Sequence, residues 1–237
     1  MQQQSIQQFL ETQFDGFQVE VDVSRERADI IHARIMRDSW SEALGHFTDT
    51  FGGHRLDASL LLLADIGFID ANDARFVATV DAIGRDLKHG NALYRYVAPD
   101  DFGEPETSFT ICTFWYIDAL AAIGRMEEAR AMFEVLLSRR NHLGLLSEDL
   151  SFENGEAWGN FPQTYSHVGL IIAAMRAIDP EGEWYSLGQV GQYITQANPD
   201  FDTRTYGSAK LSDLVRKISR FEVMGGPAGQ LLARDVA

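Results

Sequence analysis

The sequence predicts an all-α fold of antiparallel helical hairpins, and three observations lead there. Apolar residues recur at helical spacing in successive segments, glycines stand where those segments should end, and short and long connections alternate between them. Clear strand alternation is confined to short pieces in loops.

The elements follow in order. Helices are expected at about Arg25 to Asp38, Ala58 to Ile66, Asp73 to Lys88, Ser108 to Ile123, Glu127 to Arg140 and Gln163 to Ile178. Phe76, Val80, Ile83 and Leu87 form one apolar stripe. Ala129, Met132, Phe133, Leu136 and Leu137 form another, and Tyr165, Val168, Ile171, Ile172 and Met175 a third. Gly67, Gly124 and Gly144 sit where a left-handed residue closes a helix. Asp57 before Ala58-Ser59-Leu60 reads as an N-cap. A last helix is expected near Ser208 to Phe221, from the spacing of Leu211, Leu214, Val215 and Ile218. Leu150-Ser151-Phe152, Asn154-Gly155 and Ala157-Trp158 suggest a small β-hairpin.

The connections carry a functional expectation. Gly67 to Asn72 and Gly124 to Met126 are short, whereas Ser39 to Asp57, His89 to Thr107 and Asn141 to Pro162 are long. In an up-down array alternate connections fall at the same end, so the three long loops should gather together. Loops above roughly 12 residues inside a compact domain are usually functional or disordered. These are rich in aromatic and charged side chains, which favours function.

Composition narrows the classes. The 237 residues, 45% of them hydrophobic, suffice for one sizeable core, and a single domain over 1–237 is the default. A net charge of −15 with scattered Lys and Arg argues against a nucleic-acid partner. Cys112 is the sole cysteine, so no internal disulfide forms, and its aromatic neighbours place it in the core. The polar start Met1-Gln2-Gln3-Gln4-Ser5 does not read as a secretory signal. Apolar runs fall short of the roughly 18 residues of a spanning helix. A cytoplasmic protein with no membrane association is the expectation.

Candidate chemistry sits on the long loops. Tyr94-Arg95-Tyr96 suits a sugar, with aromatic faces for C–H surfaces and a guanidinium fork for hydroxyls; on spacing alone, a surface arginine packed on its neighbours is the plainer reading. In Gly144-Leu145-Leu146-Ser147-Glu148-Asp149, a carboxylate after an apolar run could act as a general base tuned by partial burial and Arg95; the plain alternative is a solvated acidic pair. His46 and His54 lack the tight spacing of a metal site, and no metal is expected. His167 reads as a hydrogen-bonded core histidine. P-loop, dinucleotide and serine-hydrolase motifs are absent.

Taken together, Asp57 to Leu62, Tyr94-Arg95-Tyr96, Phe109 to Trp115 with Asp118-Ala119-Leu120, Gly144 to Asp149, Gly159-Asn160-Phe161-Pro162-Gln163 and Tyr165-Ser166-His167 occur in an order that resembles glycoside hydrolase family 15. The stretch 27–177 resembles the C-terminal half of the catalytic domain of the glucoamylase and trehalase-like members, leaving 1–26 and 178–237 as unmatched flanks. The resemblance implies an (α/α)6 toroid, here a partial barrel, inverting hydrolysis of α-glucosides, and no cofactor. It implies that Glu148 is the general base, that Arg95 binds the sugar at the cleavage subsite, and that Tyr165 lines the pocket. Trp115, Asp57 and Glu106 resemble supporting positions. The family's general acid lies in a Gly-x-Trp-Glu context, and this sequence contains no Trp-Glu pair. The chain is therefore expected to be incomplete as a catalyst, and its open inner face to be covered by its own termini, a second copy or a complementing N-terminal polypeptide. A non-catalytic sugar-binding or interaction protein derived from the family is the competing reading. A solenoid would show a repeat period, which is lacking. A sugar epimerase would need catalytic histidines, and only His89 and His142 lie in the relevant loops.

Overall fold

A computed structural model describes residues 25–101, 103–142, 144–178, 182–197, 203–206, 208–218 and 220–236. Helix α1 (Arg25–Asp38) leads into a hairpin of β1 (Trp40–Ser41) and β2 (His46–Phe47). A 3-10 turn (Ala58–Leu61) then runs into the single-turn α2 (Leu62–Asp65). Asp57 caps this start, its carboxylate accepting from Ser59 N at 2.8 Å. Helix α3 (Ala74–Asp86) is capped in the same way by Asp73. A hairpin of β3 (Lys88–His89) and β4 (Ala92–Leu93) and the strand β5 (Thr107–Phe109) lead to α4 (Thr110–Ala122). Next come α5 (Met126–Ser138), β6 (Asp149–Ser151), β7 (Ala157–Trp158) and α6 (Thr164–Ile178). Gly67, Gly124 and Gly144 have φ of 68°, 84° and 76°, as the helix-stop reading requires.

Helix α4 is apolar on nearly every side because it is packed on nearly every side, by α2, α3, α5 and α6. Two glycines permit the closest approaches. A Cβ on Gly84 of α3 would lie 2.1 Å from the Tyr116 hydroxyl, and one on Gly169 of α6 would lie 2.6 Å from the Phe114 ring. Phe76, Ile83, Leu87, Leu93, Phe114, Leu120 and Leu146 belong to the fully buried centre of this first core.

The C-terminal region departs from the all-α expectation. After α6 come β8 (Tyr185–Ser186), α7 (Leu187–Ala197), the short α8 (Leu211–Arg216), β9 (Phe221–Gly225) and β10 (Leu231–Asp235). The strands form an antiparallel sheet in the order β8-β10-β9. The helix expected at Ser208 to Phe221 is thus cut to six residues, and α7 is an element that the periodicity reading missed. The reason is packing: Val190, Ile194, Val215, Phe221 and Ala233 build a second core against Ile171, Ile172, Ala174 and Met175 of α6. Helix α6 serves both cores, since Leu170 and Ala173 face the first.

An ion cluster lies at the seam between the cores. Arg176 of α6 pairs with Asp65 of α2 and with Asp118 of α4, the latter at 3.1 Å. Arg220 pairs with Asp65 at 3.1 Å and with Asp235 of β10 at 2.6 Å. Burial pushes the Asp118 carboxyl up to about 6, against the attraction of Arg176. Burial also opposes ionisation of Asp65, but the guanidiniums of Arg176 and Arg220 outweigh it and hold that carboxyl below its ordinary value.

Candidate active site

The long loops are stitched to one another at the N-terminal ends of the 3-10 turn and α4. The Arg95 carbonyl accepts from Ala58 N at 2.8 Å, and the Glu148 carbonyl accepts from Thr110 N at 2.9 Å. Strand β5 of the second loop pairs with β6 of the third, and β6 pairs with β7. This confirms the hairpin read from Leu150 to Trp158. Its turn uses Asn154-Gly155, with Gly155 at φ 72° and the Asn154 side chain accepting from Glu156 N.

Glu148 is set by its neighbours' backbones before its side chain is considered. Glu148 N donates to the Asn160 carbonyl and Gln163 N to the Leu146 carbonyl. Leu146 N donates to His167 Nε2 at 3.2 Å, and Ser166 Oγ donates to the Ser147 carbonyl at 2.9 Å. The buried His167 is therefore a backbone-holding histidine, as the sequence suggested; burial lowers its basicity.

The Glu148 carboxylate is held by amides. Its Oε2 accepts from Asn160 N at 3.0 Å and Asn160 Nδ2 at 2.8 Å, and its Oε1 accepts from Gln163 Nε2 at 3.2 Å. Gly159 makes the room: at φ 74° it presents no side chain, and a Cβ there would lie 2.8 Å from Glu148 Oε2. Three neutral donors orient a half-buried carboxylate that keeps contact with solvent. That suits a group that must point at a water molecule. The adjacent Asp149 is a different kind of acid. Burial raises its carboxyl, and Thr107 Oγ1 donates to it at 2.9 Å across the β5-β6 pair.

No hydrogen bond or ion pair joins Arg95 to Glu148 among the described residues. Arg95 Nε approaches Asp57 Oδ2 at 3.4 Å, so the N-cap of the 3-10 turn is also the anchor of the arginine. The guanidinium lies 5.9 Å from the Tyr96 ring centroid and is half in solvent. Tyr94 packs on Phe152 of the third loop with ring centroids 4.3 Å apart, and His89 packs on the same ring. Tyr165 is 64% exposed, and the nearby Trp158 and Phe161 are also exposed. Trp158, opposite Asp149 in the β6-β7 ladder, was read only as hairpin, though an exposed tryptophan next to Gly159-Asn160 was a usable signal. Trp115 is half-buried on α4, Glu106 is exposed, and Cys112 is fully buried with its thiol pushed up by burial. His46 is buried and bonds the Phe47 carbonyl through Nδ1, while His54 is exposed.

The model of the glycosyl hydrolases family 15 matches residues 8–175, well over half of the sequence. The chain belongs to this family. Among its curated relatives, the trehalase of Thermoplasma acidophilum is 40% identical over 147 residues, 62% of this chain and 25% of that protein. The trehalase of Mycobacterium tuberculosis is 37% identical over 167 residues, 69% of this chain and 24% of that protein. The chain thus spans about a quarter of the length of these relatives. A solved structure described as a wild-type glycosidase superposes with a TM-score of 0.52 at 16% identity, over 75% of this chain and 44% of that one. It supports the fold. A second model, the OST-HTH/LOTUS domain, matches residues 166–233. That match begins inside α6 and covers the second core, so the two matches overlap on the helix that serves both cores. No described helix is long and apolar enough to cross a membrane.

Proposed function

We propose that this chain carries the water-activating half of an inverting α-glucosidase of the trehalase type, with Glu148 as general base and Arg95 and Tyr165 as sugar contacts. The observation that carries the reading is the amide cradle around Glu148. A carboxylate held by Asn160 and Gln163, with a glycine opening the space beside it, is oriented by neutral donors rather than by a cation. Such a group accepts a proton from water while that water attacks the anomeric carbon. Arg95, steadied by Asp57, offers its remaining donors to sugar hydroxyls. Tyr165 offers an exposed ring to the sugar's C–H face.

Inversion needs a second carboxyl, about 6.5–9.5 Å from the first, to protonate the leaving oxygen. Asp149 is a poor candidate because it is committed to Thr107 in the β5-β6 pair. In this reading a complementing segment or polypeptide supplies the acid, and the first core is part of an (α/α)6 toroid. The family membership supports this reading.

The test is glucose release from trehalose by the purified chain beside its Glu148→Gln variant, with trehalose binding followed by calorimetry. The expected result is weak binding that Arg95→Ala removes, and feeble turnover, since a general acid contributes on the order of 10²–10⁴-fold. Robust turnover abolished by Glu148→Gln would keep the base and overturn the missing acid. Turnover indifferent to Glu148→Gln would overturn the base itself.

A further inference from the structure

Single exposed apolar side chains are ordinary, but the loop end gathers three exposed aromatic rings along one short stretch: Trp158, Phe161 and Tyr165. Tyr165 is read above as a sugar contact. Trp158 is the ring whose neighbours the strand register fixes. It lies on β7 opposite Asp149 of β6, and Asp149 lies opposite Phe109 of β5. Ser108 and Leu150, one position away on the same strands, are buried, so the row Phe109, Asp149, Trp158 stands on the other face. Neighbours in such a row are about 5 Å apart.

The chemistry of the row is that of a sugar platform. Trp158 is 48% exposed, and its Nε1 lies 3.4 Å from Glu156 Oε2, which ties the edge of the indole back along its own strand. Asp149 accepts from Thr107 on Oδ2, its one side-chain donor among the described residues, so Oδ1 remains an open acceptor beside the ring. An indole face takes the C–H side of a pyranose, and a carboxylate oxygen takes a hydroxyl on its rim. A formal charge of −15 favours a neutral ligand of this kind over an anionic one.

The platform stands beside the base rather than at it. Trp158 is two residues from Asn160, whose N–H is 3.0 Å from Glu148 Oε2, so about 7 Å of chain separates the ring's backbone from the cradle. It also faces the same helix end as the arginine. Burial raises the Cys112 thiol in the first turn of α4, and the charges of Asp57, Arg95 and Asp149 all act on that thiol. The Arg95–Asp57 pair and Asp149 therefore surround one point.

We propose that Trp158, with Asp149 beside it, is the platform for the second sugar of a disaccharide whose first sugar sits at Glu148 and Arg95. It selects a two-sugar ligand over free glucose. The placement of the first sugar rests on the hydrolase reading above.

Acrylamide quenching reads the site directly, because Trp158 is the exposed member of the four tryptophans, while Trp40, Trp115 and Trp184 are half-buried. Trehalose should protect the accessible fluorescence of the whole chain and glucose should not. The protection should vanish in Trp158→Ala. By calorimetry trehalose should bind tighter than glucose. Trp158→Ala should weaken trehalose binding roughly 3- to 10-fold, the worth of one ring contact, and leave glucose binding within about twofold. Trp158→Phe should keep most of the trehalose affinity. Circular dichroism should not move, since the side chain is exposed on a two-residue edge strand. Trehalose binding no tighter than glucose overturns the platform, and so does Trp158→Ala weakening both sugars equally. Arg95→Ala separates this proposal from the hydrolase reading. If it removes glucose binding while trehalose never protects Trp158, the first-sugar site stands and the platform falls. If it leaves glucose binding untouched while trehalose still protects Trp158, the platform stands and the assignment of Arg95 falls.

Discussion

The loop end and the seam both hold half-buried carboxylates, but with opposite means. At the loop end, Glu148 is held by neutral amides from Asn160 and Gln163 on the same loop. At the seam, Asp65 and Asp118 are held by guanidiniums that arrive from elements far apart in sequence. Neutral donors orient a charge and leave it available, so the loop end can do work on a ligand. Cations consume the charge, so the seam joins two cores. The arrangements also differ in redundancy: Glu148 has three donors, whereas Asp118 has one cation, which it shares with Asp65.

This contrast breaks most visibly at the seam. Arg176→Met keeps an apolar stem but strips Asp118 of its cation and leaves Asp65 with Arg220 alone. Uncompensated charge in a largely buried setting should cost about 3 kcal/mol. A urea titration should show a lower midpoint, with the second core loosening first by hydrogen exchange in β8 and β10. An unchanged midpoint would mean that the seam's charges are solvated and the two ends are alike.

The next effect belongs to the loop end and comes from space rather than charge. Gly159→Ala places a Cβ against Glu148 Oε2 in a left-handed backbone. Strain and displacement of the carboxylate should together cost about 1–3 kcal/mol. Sugar binding should weaken as well, because the amide cradle is built on the same turn. Calorimetry with trehalose and thermal unfolding, run side by side, would separate the two losses.

The seam also carries a pH signature. The Asp118 carboxyl is pushed up to about 6 when folded, against an ordinary value near 3.9. Between those values the unfolded chain has lost the proton and the folded chain retains it, so stability falls as pH rises from about 4 to about 6. Asp65 acts in the opposite sense and lower down: its depressed carboxyl contributes above its ordinary range, and that contribution is lost as pH falls. Asp118→Asn should reduce the downward slope, leaving the melting temperature on the order of 2–4 °C higher at pH 7. A slope unchanged in Asp118→Asn would assign it to other groups.

The two regions were also unequally legible in the sequence. The first core's helices follow from apolar spacing with Gly67, Gly124 and Gly144 as stops, and α1 has the ends that were read for it. Asp57 as cap and the Asn154-Gly155 hairpin were local signals, and local signals survive without tertiary context. The pairing of Arg95 with Asp57 was hidden because it joins residues 38 positions apart. The C-terminal sheet was hidden for the same kind of reason. Phe221-Glu222-Val223 alternates for only three residues, and β8 has two residues, so the sheet exists through its register with β10 rather than through any one strand's pattern. The seam was least legible: Asp65, Asp118 and Arg176 lie on three helices and Arg220 in the turn before β9, each reading alone as an ordinary helix-end or surface charge.

The smallest expected effect tests the redundancy at the loop end. Asn160→Ala removes the Nδ2 donor at 2.8 Å and leaves the backbone N–H at 3.0 Å and the Gln163 amide in place. Because Glu148 is half-buried, water can take the vacated position, so the loss should be that of one hydrogen bond, about 0.5–1.5 kcal/mol at most. Asn160→Asp is the sharper partner experiment. It replaces a donor with a like charge beside Glu148, and repulsion adds to the lost bond. That second cost should make the aspartate variant less stable than the alanine variant, and added salt should shrink the difference while leaving the alanine variant's cost unchanged. If the two variants behave alike at every salt concentration, the Asn160 side chain does not face the carboxylate in solution, and the neutral cradle that distinguishes this end from the seam is not there.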